Sequence, residues 1–568
     1  MIKKLTAIWI IPLFLWIQCG TDNPKEVYEA EVFEQAAVVT AHPIASKIGA
    51  EILEKGGNAV DAAVAVKFAL AVVYPNAGNL GGGGFLVYRT HQGEYNTLDF
   101  REKAPHRADK DMYLDDQKNP IEDLSLYSEL ASGVPGSVAG MAEAHSKYGT
   151  MEWSELLKPS IELAKNGFKI TKRQAKEFNH YQKRFKKLNP SGAAIIKDDP
   201  WVEGDLFIQT ELAETLVRIG EFGADGFYKG ETAELIVQQM QQGNGIITLE
   251  DLESYEAIWR EPIVGDYKNY KIISMPPPSS GGVALLALLQ SVEPLPISSW
   301  GFQSDSTVRA MVEAERRIYA DRAMHLGDPD FFDVPVEQLV NKNFNMERMK
   351  QVDLTQATPS KEVRATYFPG YYYEEPEETT HFSIVDAAGN AISLTTTIND
   401  SYGSGVWVKG AGFLLNNEMD DFSIKPGTPN MYGLLGGVAN AIEPNKRMLS
   451  AMTPTIVEKD NELFMVVGTP GGSTIITSVF QTILNVTEFG MTAKESVEAP
   501  RFHHQWKPDR IDVEESAIDS STRAALNQAG YNIHPRGAIG RVEAIVVQKD
   551  GKLQVGADPR GDDAAYGF

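Results

Sequence analysis

Residues 379–399 read TTHFSIVDAAGNAISLTTTIN, and this stretch decides the fold. Apolar residues alternate with polar ones on both sides of a turn sequence at 387–390, Ala-Ala-Gly-Asn. Alternation with a period of two is typical of β-strands, and a short glycine-containing turn between two such runs is typical of a hairpin. The stretch therefore predicts a β-hairpin.

The predicted register follows from the position of the turn. If the turn is centred on 387–390, Asp386 faces Ala391, and counting outward places Thr379 opposite Ile398. A regular ladder in this register would turn Thr379 and Thr397 to opposite faces of the sheet. We therefore expect a bulge or a twist near the open end of the hairpin.

Thr379 has two interpretations. The acidic run EPEE at 375–378 has no apolar periodicity and predicts an exposed loop, so Thr379 can be an ordinary threonine at a loop-to-strand junction. Alternatively, the chain is cut between Glu378 and Thr379. The freed α-amino group, with a pKa of about 7.7–8.0, would then act as general base for its own hydroxyl.

Three motifs favour the second interpretation: EETTHFSIVD at 377–386, TTTIN at 395–399 and LLNNEMDDFS at 414–423. Together they resemble the γ-glutamyltransferase family of N-terminal-nucleophile hydrolases, and the resemblance extends from about residue 35 to the C-terminus. It implies an α+β fold, the four-layer αββα sandwich of that superfamily. Helix and strand patterns alone do not distinguish this fold from a doubly wound α/β fold.

The resemblance also implies autoproteolysis between Glu378 and Thr379. A large subunit, residues 20–378, and a small subunit, residues 379–568, would then form a heterodimer intertwined as one domain. The mature enzyme would cleave γ-glutamyl amides, such as glutathione, through an ester on Thr379. It would pass the γ-glutamyl group to water or to an amino acid or peptide, with no cofactor and no metal.

Three further residues have implied catalytic roles. Thr397 would orient the nucleophile, and Gly471 and Gly472, in the motif TPGGS, would supply the oxyanion hole. The two glycines lie between a predicted strand and a predicted helix, where backbone N–H groups are unpaired and the helix dipole is favourable. A plain turn is the alternative interpretation.

The γ-glutamyl group is a zwitterion, so burying it requires partners for both charges. The resemblance assigns Arg101, in FREKAP, to the substrate carboxylate, although composition alone favours a surface ion pair. It assigns Asp421 to the ammonium group, with Glu418 and Asn399 beside it. An acidic pair in a loop is otherwise usually solvated.

The remaining implied binding residues are Ser450, Ala451 and Tyr432. Ser450 would hold the carboxylate together with Arg101, and Ala451 stands where many relatives have a second serine. Its missing hydroxyl would weaken the carboxylate contact by about 1 kcal/mol. Tyr432 lies in a glycine- and proline-rich segment, 426–440, which is typical of a lid, and would be its gating residue. A packing role is the alternative for Tyr432.

The N-terminus predicts export. Residues 1–19 combine a basic start with an apolar run at 5–17, which is too short for a membrane span and typical of a secretory signal. Cys19 ends the run and is the only cysteine, so the segment resembles a bacterial lipoprotein signal, although WIQ at 16–18 departs from the usual lipobox. We expect a periplasmic or envelope protein, anchored only through this segment.

The net charge and one glycine-rich segment argue against nucleic acid, anionic membranes and nucleotides as partners. The net charge is −24 with a pI near 4.9, which disfavours nucleic acid and anionic membrane surfaces as partners. GNLGGGGF at 78–85 lacks the Gly-Lys-Ser/Thr ending of a phosphate loop and runs into a predicted strand. Its glycines predict a close approach of two backbone segments instead.

Two rival functions remain from the sequence. A glutaryl or cephalosporin acylase would share the fold and nucleophile but needs no partner for an ammonium group, so Asp421 argues against it. A catalytically inactive envelope-binding lipoprotein is disfavoured by the intact set of Thr379, Thr397 and Asn399.

Overall fold

The computed structural model describes residues 28–366, 379–424 and 438–568. Within these ranges, an eight-stranded and a seven-stranded antiparallel sheet form the centre of the molecule. The first sheet, in spatial order, contains Tyr28–Glu29, Ala564–Gly567, Ala37–Thr40, Thr380–Val385, Ala391–Thr397, Gly83–Arg89, Tyr95–Asp99 and Ile258–Arg260. The second contains Val32–Phe33, Leu553–Ala557, Glu543–Val547, Glu462–Gly468, Thr455–Lys459, Tyr270–Ser274 and Ile263–Tyr267.

The two sheets pack face to face and bury apolar side chains between them. Val39 and Val87 of the first sheet meet Ile273, Ile456 and Val466 of the second, and all are fully buried. Alternate residues of each strand point the other way, toward the helices, so each sheet also has an outer face that is buried.

Helices cover both outer faces. Those in the apolar cluster on the side of the first sheet are Pro43–Glu54, Ala59–Val73, Ser137–Tyr148, Trp153–Asn166, Lys172–Leu188, Thr210–Phe222 and Gly230–Gln242. Those in the cluster on the side of the second are Gly281–Val292, Asp305–His325, Lys342–Lys350, Thr474–Thr487, Ala493–Glu498 and Ser520–Gln528. The predicted αββα sandwich is confirmed.

Shorter elements complete the described ranges. The single-turn helices are Glu129–Ala131, Asp225–Tyr228, Leu249–Glu253, Ile297–Trp300, Val336–Leu339, Glu418–Asp421 and Val438–Asn440. The peripheral strands are Phe168–Lys169, Leu206–Phe207, Trp407–Val408, Phe413–Leu414, Phe502–His503, Ile511–Val513 and Ile533–Pro535. Every helix in the described part of the chain is too short or too polar to cross a lipid bilayer.

The predicted hairpin is present, but its register differs by one residue from the prediction. Val385 pairs with Ala391, and the ladder is regular to Thr380 opposite Thr396. Asp386 belongs to the turn instead of the strand, because its Oδ1 accepts hydrogen bonds from the N–H groups of Ala388 (3.0 Å) and Asn390 (2.9 Å).

This register makes the expected bulge unnecessary, and that prediction is wrong. Continued by one residue, the ladder places Thr379 opposite Thr397, and directly opposite residues share a face of the sheet.

Residues from both sides of the predicted cleavage point share both sheets. Thr380–Val385 pairs with Ala37–Thr40, and Ala391–Thr397 pairs with Gly83–Arg89. In the second sheet, Tyr270–Ser274 pairs with Thr455–Lys459. Hydrogen-bonded ladders would therefore hold the two segments together after a cut before Thr379.

The glycine-rich loop fills the role that its sequence predicts, a close backbone approach. A Cβ on Gly82 would lie 2.0 Å from the carbonyl oxygen of Thr397, and one on Gly84 would lie 2.4 Å from that of Thr395. Any side chain here would push the strand end away from its neighbour, so these glycines fix the position of Thr397.

Candidate active site

Thr379 lies at the end of a central strand, immediately before Thr380, and is 7% exposed. Strands pair with the Thr380–Val385 strand on both edges. A residue at this position is held by a rigid scaffold and still borders a cavity, which suits a nucleophile.

Thr397 and Asn399 follow on the neighbouring strand and are joined by a hydrogen bond. The Asn399 N–H donates to Thr397 Oγ1 over 2.7 Å, and the Asn399 side chain donates to the Asn417 carbonyl over 3.0 Å. Asn399 has a φ of +68°, which asparagine tolerates better than most residues. The Thr397 side chain also lies beside the Glu418 carboxylate and acts to lower its pKa.

Arg101 is buried among carboxylates. Its Nη1 lies 2.7 Å from Glu418 Oε2 and 3.4 Å from Glu102 Oε2, and its Nη2 donates to Asp421 Oδ2. It also donates to the carbonyls of Met448 and Leu449, each over 3.2 Å. These four hydrogen bonds and the ion pair with Glu418 leave the guanidinium in one fixed orientation.

One cation faces three buried carboxylates in this cluster. Burial, and next the charge of Glu418, raise the pKa of Glu102 well above its usual range. Burial also raises the pKa of Glu418, while Arg101 and the hydrogen bonds from neighbouring side chains oppose the rise. Both shifts favour the neutral form of these carboxyl groups, and the charges of Arg101 and Lys67 oppose the rise at Glu102.

The residues predicted to bind opposite ends of a zwitterion thus form an ion pair with each other. Arg101 is assigned to a carboxylate and Asp421 to an ammonium group, and the two are in contact. A ligand with both charges can replace this pair by exchanging partners, so that no buried charge is left alone.

Ser450 lies on the other side of Arg101, in a segment fixed by backbone hydrogen bonds. Its N–H donates to the Pro278 carbonyl (2.9 Å), and its own carbonyl accepts from the Ser280 N–H (2.7 Å). Its hydroxyl accepts from the Met452 N–H over 3.2 Å. Ala451 beside it is 4% exposed and contributes no hydroxyl to this segment.

Gly471 and Gly472 form the turn before the Thr474–Thr487 helix, as the sequence predicts. Their φ values are +131° and +57°, which a side chain would strain. Among the described residues, neither N–H donates a hydrogen bond, whereas both carbonyls accept bonds from the helix start. Two unpaired N–H groups at a helix N-terminus can stabilise an oxyanion.

Thr379, Asn399 and Gly471 line one cavity of about 260 Å³. Arg101, Glu418, Asp421 and Ser450 do not line it and lie buried behind Thr397 and Asn399. The predicted residues thus fall into two groups in the structure. One contains the nucleophile and the oxyanion turn and lies at the cavity; the other contains the buried charge pair. Thr397 and Asn399 lie between the two groups.

Three predicted residues lie outside the described ranges: Cys19, Glu378 and Tyr432. Their predicted roles in lipidation, cleavage and gating stay predictions.

Two asparagines that the sequence analysis did not single out support the site. Asn440 donates to the Asp421 carbonyl (2.7 Å) and accepts from the Leu449 N–H (3.0 Å), so it ties the acidic turn to the Ser450 segment. Asn79 donates to the Thr397 carbonyl over 2.9 Å. Both contacts join segments far apart in sequence, and no local pattern marks them.

Comparisons with known proteins identify the family of this chain. The family model for gamma-glutamyltranspeptidase matches residues 45–568. The chain is 45% identical over 547 residues to the glutathione hydrolase proenzyme of Escherichia coli (strain K12), covering 96% of this chain and 94% of that protein.

Two solved structures are similar to the fold. Cephalosporin acylase from Bacillus halodurans has a TM-score of 0.82 at 26% identity and covers 98% of this chain and 99% of that chain. A chain of Helicobacter pylori gamma-glutamyltranspeptidase has a TM-score of 0.56 at 46% identity and covers 58% of this chain and 97% of that chain. The family predicted from the motifs is confirmed: this chain belongs to the gamma-glutamyltranspeptidase family of enzymes.

Proposed function

We propose that the protein is a γ-glutamyltransferase and glutathione hydrolase that matures by cutting itself before Thr379. The contact between Arg101 and Asp421, next to the nucleophile hairpin, carries this proposal. The pair provides one partner for each charge of a γ-glutamyl group: Arg101 for the carboxylate and Asp421 for the ammonium. A ligand must therefore carry both charges to replace the contact between them.

Maturation uses the nucleophile once on its own chain. The Thr379 hydroxyl attacks the carbonyl carbon of Glu378, the peptide nitrogen leaves, and the chain is joined through an ester. Water then cleaves the ester, giving a Glu378 carboxylate and a free Thr379 amine. Because the strand fixes the attacking group, held geometry can contribute roughly 7–11 kcal/mol of the barrier.

Turnover uses the same hydroxyl on a γ-glutamyl amide. The free amine of Thr379 takes the hydroxyl proton, the oxygen attacks the amide carbonyl, and the Gly471 and Gly472 N–H groups stabilise the oxyanion. The leaving amine takes a proton, and water or an acceptor amine then attacks the γ-glutamyl ester. Thr397 accepts a hydrogen bond from the Asn399 N–H, which holds the strand end in place.

The name of the Escherichia coli relative includes "proenzyme", and one chain of the Helicobacter pylori structure spans 58% of this chain, which supports a two-subunit product. The similarity to cephalosporin acylase supports an acylase as the second candidate. Asp421 disfavours it, because a glutaryl group offers no cation for this buried carboxylate. Export through residues 1–19, with lipidation at Cys19, is part of the proposal.

The test of maturation is the mass of the purified protein. Wild type should give two fragments, the smaller beginning at Thr379, and Thr379→Ala should remain one inactive chain. Thr380→Val is the matched control, because the Thr380 hydroxyl is buried without a hydrogen-bond partner among the described residues. A cut Thr379→Ala chain, or a different N-terminus, would contradict the proposal.

A further inference from the structure

The cavity beside Thr379 has a wall of unusual charge. The arginines that line it, among the described residues, are Arg173, Arg536, Arg541 and Arg560. Glu177 is the acidic residue of the same described wall. A ligand in this cavity therefore meets mostly guanidinium groups and few carboxylates.

Arg541 differs from the other three because part of its guanidinium has no acceptor. The residue is 6% exposed, its Nη1 donates to the Tyr74 hydroxyl over 2.8 Å, and its Nε lies 3.0 Å from Asp563 Oδ2. Its Nη2 is buried and has no hydrogen-bond partner among the described residues. Asp563 and Glu543, whose carboxylate oxygens also have no hydrogen bond among the described residues, act on Arg541 through their charge. Buried donors are nearly always satisfied, so Nη2 remains available to an acceptor.

The other arginines are each paired with a carboxylate of the protein. Arg173 donates from Nε to Glu177 over 2.9 Å, and Arg560 donates to Glu514 over 2.7 Å from Nε and 2.6 Å from Nη2. Arg536 lies 3.8 Å from Asp512. Only the first of these pairs has its carboxylate on the cavity wall, so the wall itself presents more guanidinium groups than carboxylates.

Arg541 stays charged in this environment. Burial opposes its charge, but Asp563 and then Tyr74 and Glu543 outweigh burial and raise the pKa of Arg541 well above its usual range. The unfilled Nη2 is therefore a charged donor, and an anion is its natural acceptor.

The position of the cavity identifies the part of the substrate that would reach it. Arg101 and Asp421, proposed to hold the α-carboxylate and ammonium of the γ-glutamyl group, do not line the cavity, whereas Thr379 and Gly471 do. What lies beyond the reacting amide is the leaving group before acylation and the acceptor after it.

We propose that Arg541, beside Tyr74 and Arg173, binds the terminal carboxylate of a dipeptide on the far side of the reacting bond. This dipeptide is the leaving group of a glutathione-like donor or the acceptor in transfer, so the inference rests on the proposed function. A cavity of about 260 Å³ is small for a ligand pocket and suits a dipeptide-sized group. In transfer, the dipeptide amine forms the new amide bond while the ester breaks and Thr379 Oγ regains its proton.

The test compares three donors: glutathione, its C-terminal amide, and γ-glutamyl-p-nitroanilide. Wild type should show a kcat/KM for glutathione about 10- to 100-fold above that for the amide. The amide has no terminal carboxylate and therefore cannot form the charge-assisted hydrogen bond with Arg541. Arg541→Gln should bring this ratio close to one. Its rate on the anilide, which has no carboxylate at that position, should stay within about threefold of the wild-type rate. Arg541→Lys should restore part of the ratio.

Arg173→Met and Lys172→Met form a matched pair that keeps the test decisive if Arg541→Gln fails to fold. Both residues lie on one helix, but Lys172 is exposed and does not line the cavity. Arg173→Met should lower the ratio about two- to fivefold, and Lys172→Met should not change it.

Equal wild-type rates on glutathione and its amide would overturn the inference, as would a correctly folded Arg541→Gln or Arg173→Met variant that slows all three donors equally. If wild type cleaves none of the donors, the proposed function itself fails, which is a distinguishable result.

Discussion

Asp421→Asn is the substitution that most directly tests substrate recognition. Asp421 is 5% exposed, and its Oδ2 accepts a hydrogen bond from Arg101 Nη2. Asparagine keeps the shape and one acceptor oxygen but removes the charge. The fold should tolerate the change, because Arg101 keeps Glu418 at 2.7 Å and its two backbone carbonyls.

The magnitude follows from the burial of the pair. Removing one charge from a buried, hydrogen-bonded charge pair costs about 2–5 kcal/mol in binding. At 1.36 kcal/mol per tenfold change in rate, kcat/KM for a γ-glutamyl donor should fall by roughly 30- to 5,000-fold. A glutaryl donor has no ammonium group, so its kcat/KM should stay constant or rise.

The assay is hydrolysis of γ-glutamyl-p-nitroanilide against glutaryl-p-nitroanilide. Asp420→Asn is the matched control: this neighbouring carboxylate is also buried, but its Oδ1 accepts from the Ser125 hydroxyl over 2.6 Å. The control should keep the wild-type ratio of the two donors, and self-cleavage should persist in both variants. Equal losses on both donors in Asp421→Asn would show that Asp421 supports only the fold, and a wild type that prefers the glutaryl donor would favour the acylase.

Three further predictions concern other parts of the chain. Ala451→Ser restores a hydroxyl beside Ser450 and should lower the KM for γ-glutamyl donors about three- to fivefold; an unchanged KM would exclude a contact there. Cys19→Ser should move the protein from the membrane fraction to a soluble fraction or leave the signal uncut, and a cytoplasmic chain that retains its first residue would refute export. Desolvation lowers the pKa of His381 to about 3, so lowering the pH from 7.5 to 5.5 protonates this histidine only in the unfolded chain. Urea denaturation should then show a loss of about 1 kcal/mol from His381, which His381→Gln removes; a variant with the full wild-type pH dependence would contradict this.

Local patterns in the sequence were sufficient to predict the secondary structure that carries the site. Alternation around 387–390 predicted the hairpin, and the position of Gly471 and Gly472 between a strand and a helix is as predicted. These features depend on residues within a few positions of one another, where strand periodicity and turn chemistry decide the conformation.

The register and the charge pair required information that local patterns do not contain. Asp386 leaves the strand because its carboxylate caps the turn and also accepts from the Ala59 N–H, 327 positions away (2.9 Å). Arg101 and Asp421 are 320 positions apart, so their contact depends on how both sheets are assembled. The same holds for Arg541 and Arg173, which only the folded chain brings to one cavity.

The sheet pairing explains how a cut can create an active site without loosening it. Thr380–Val385 lies between Ala37–Thr40 and Ala391–Thr397, and the latter pairs onward with Gly83–Arg89. A new N-terminus at Thr379 would therefore be followed at once by a strand that is paired on one edge from Thr380 and on both edges from Phe382, instead of a fraying tail. The amine and hydroxyl of Thr379 would be held near the oxyanion turn by backbone hydrogen bonds that exist before the cut, so the precursor already has the geometry that turnover needs.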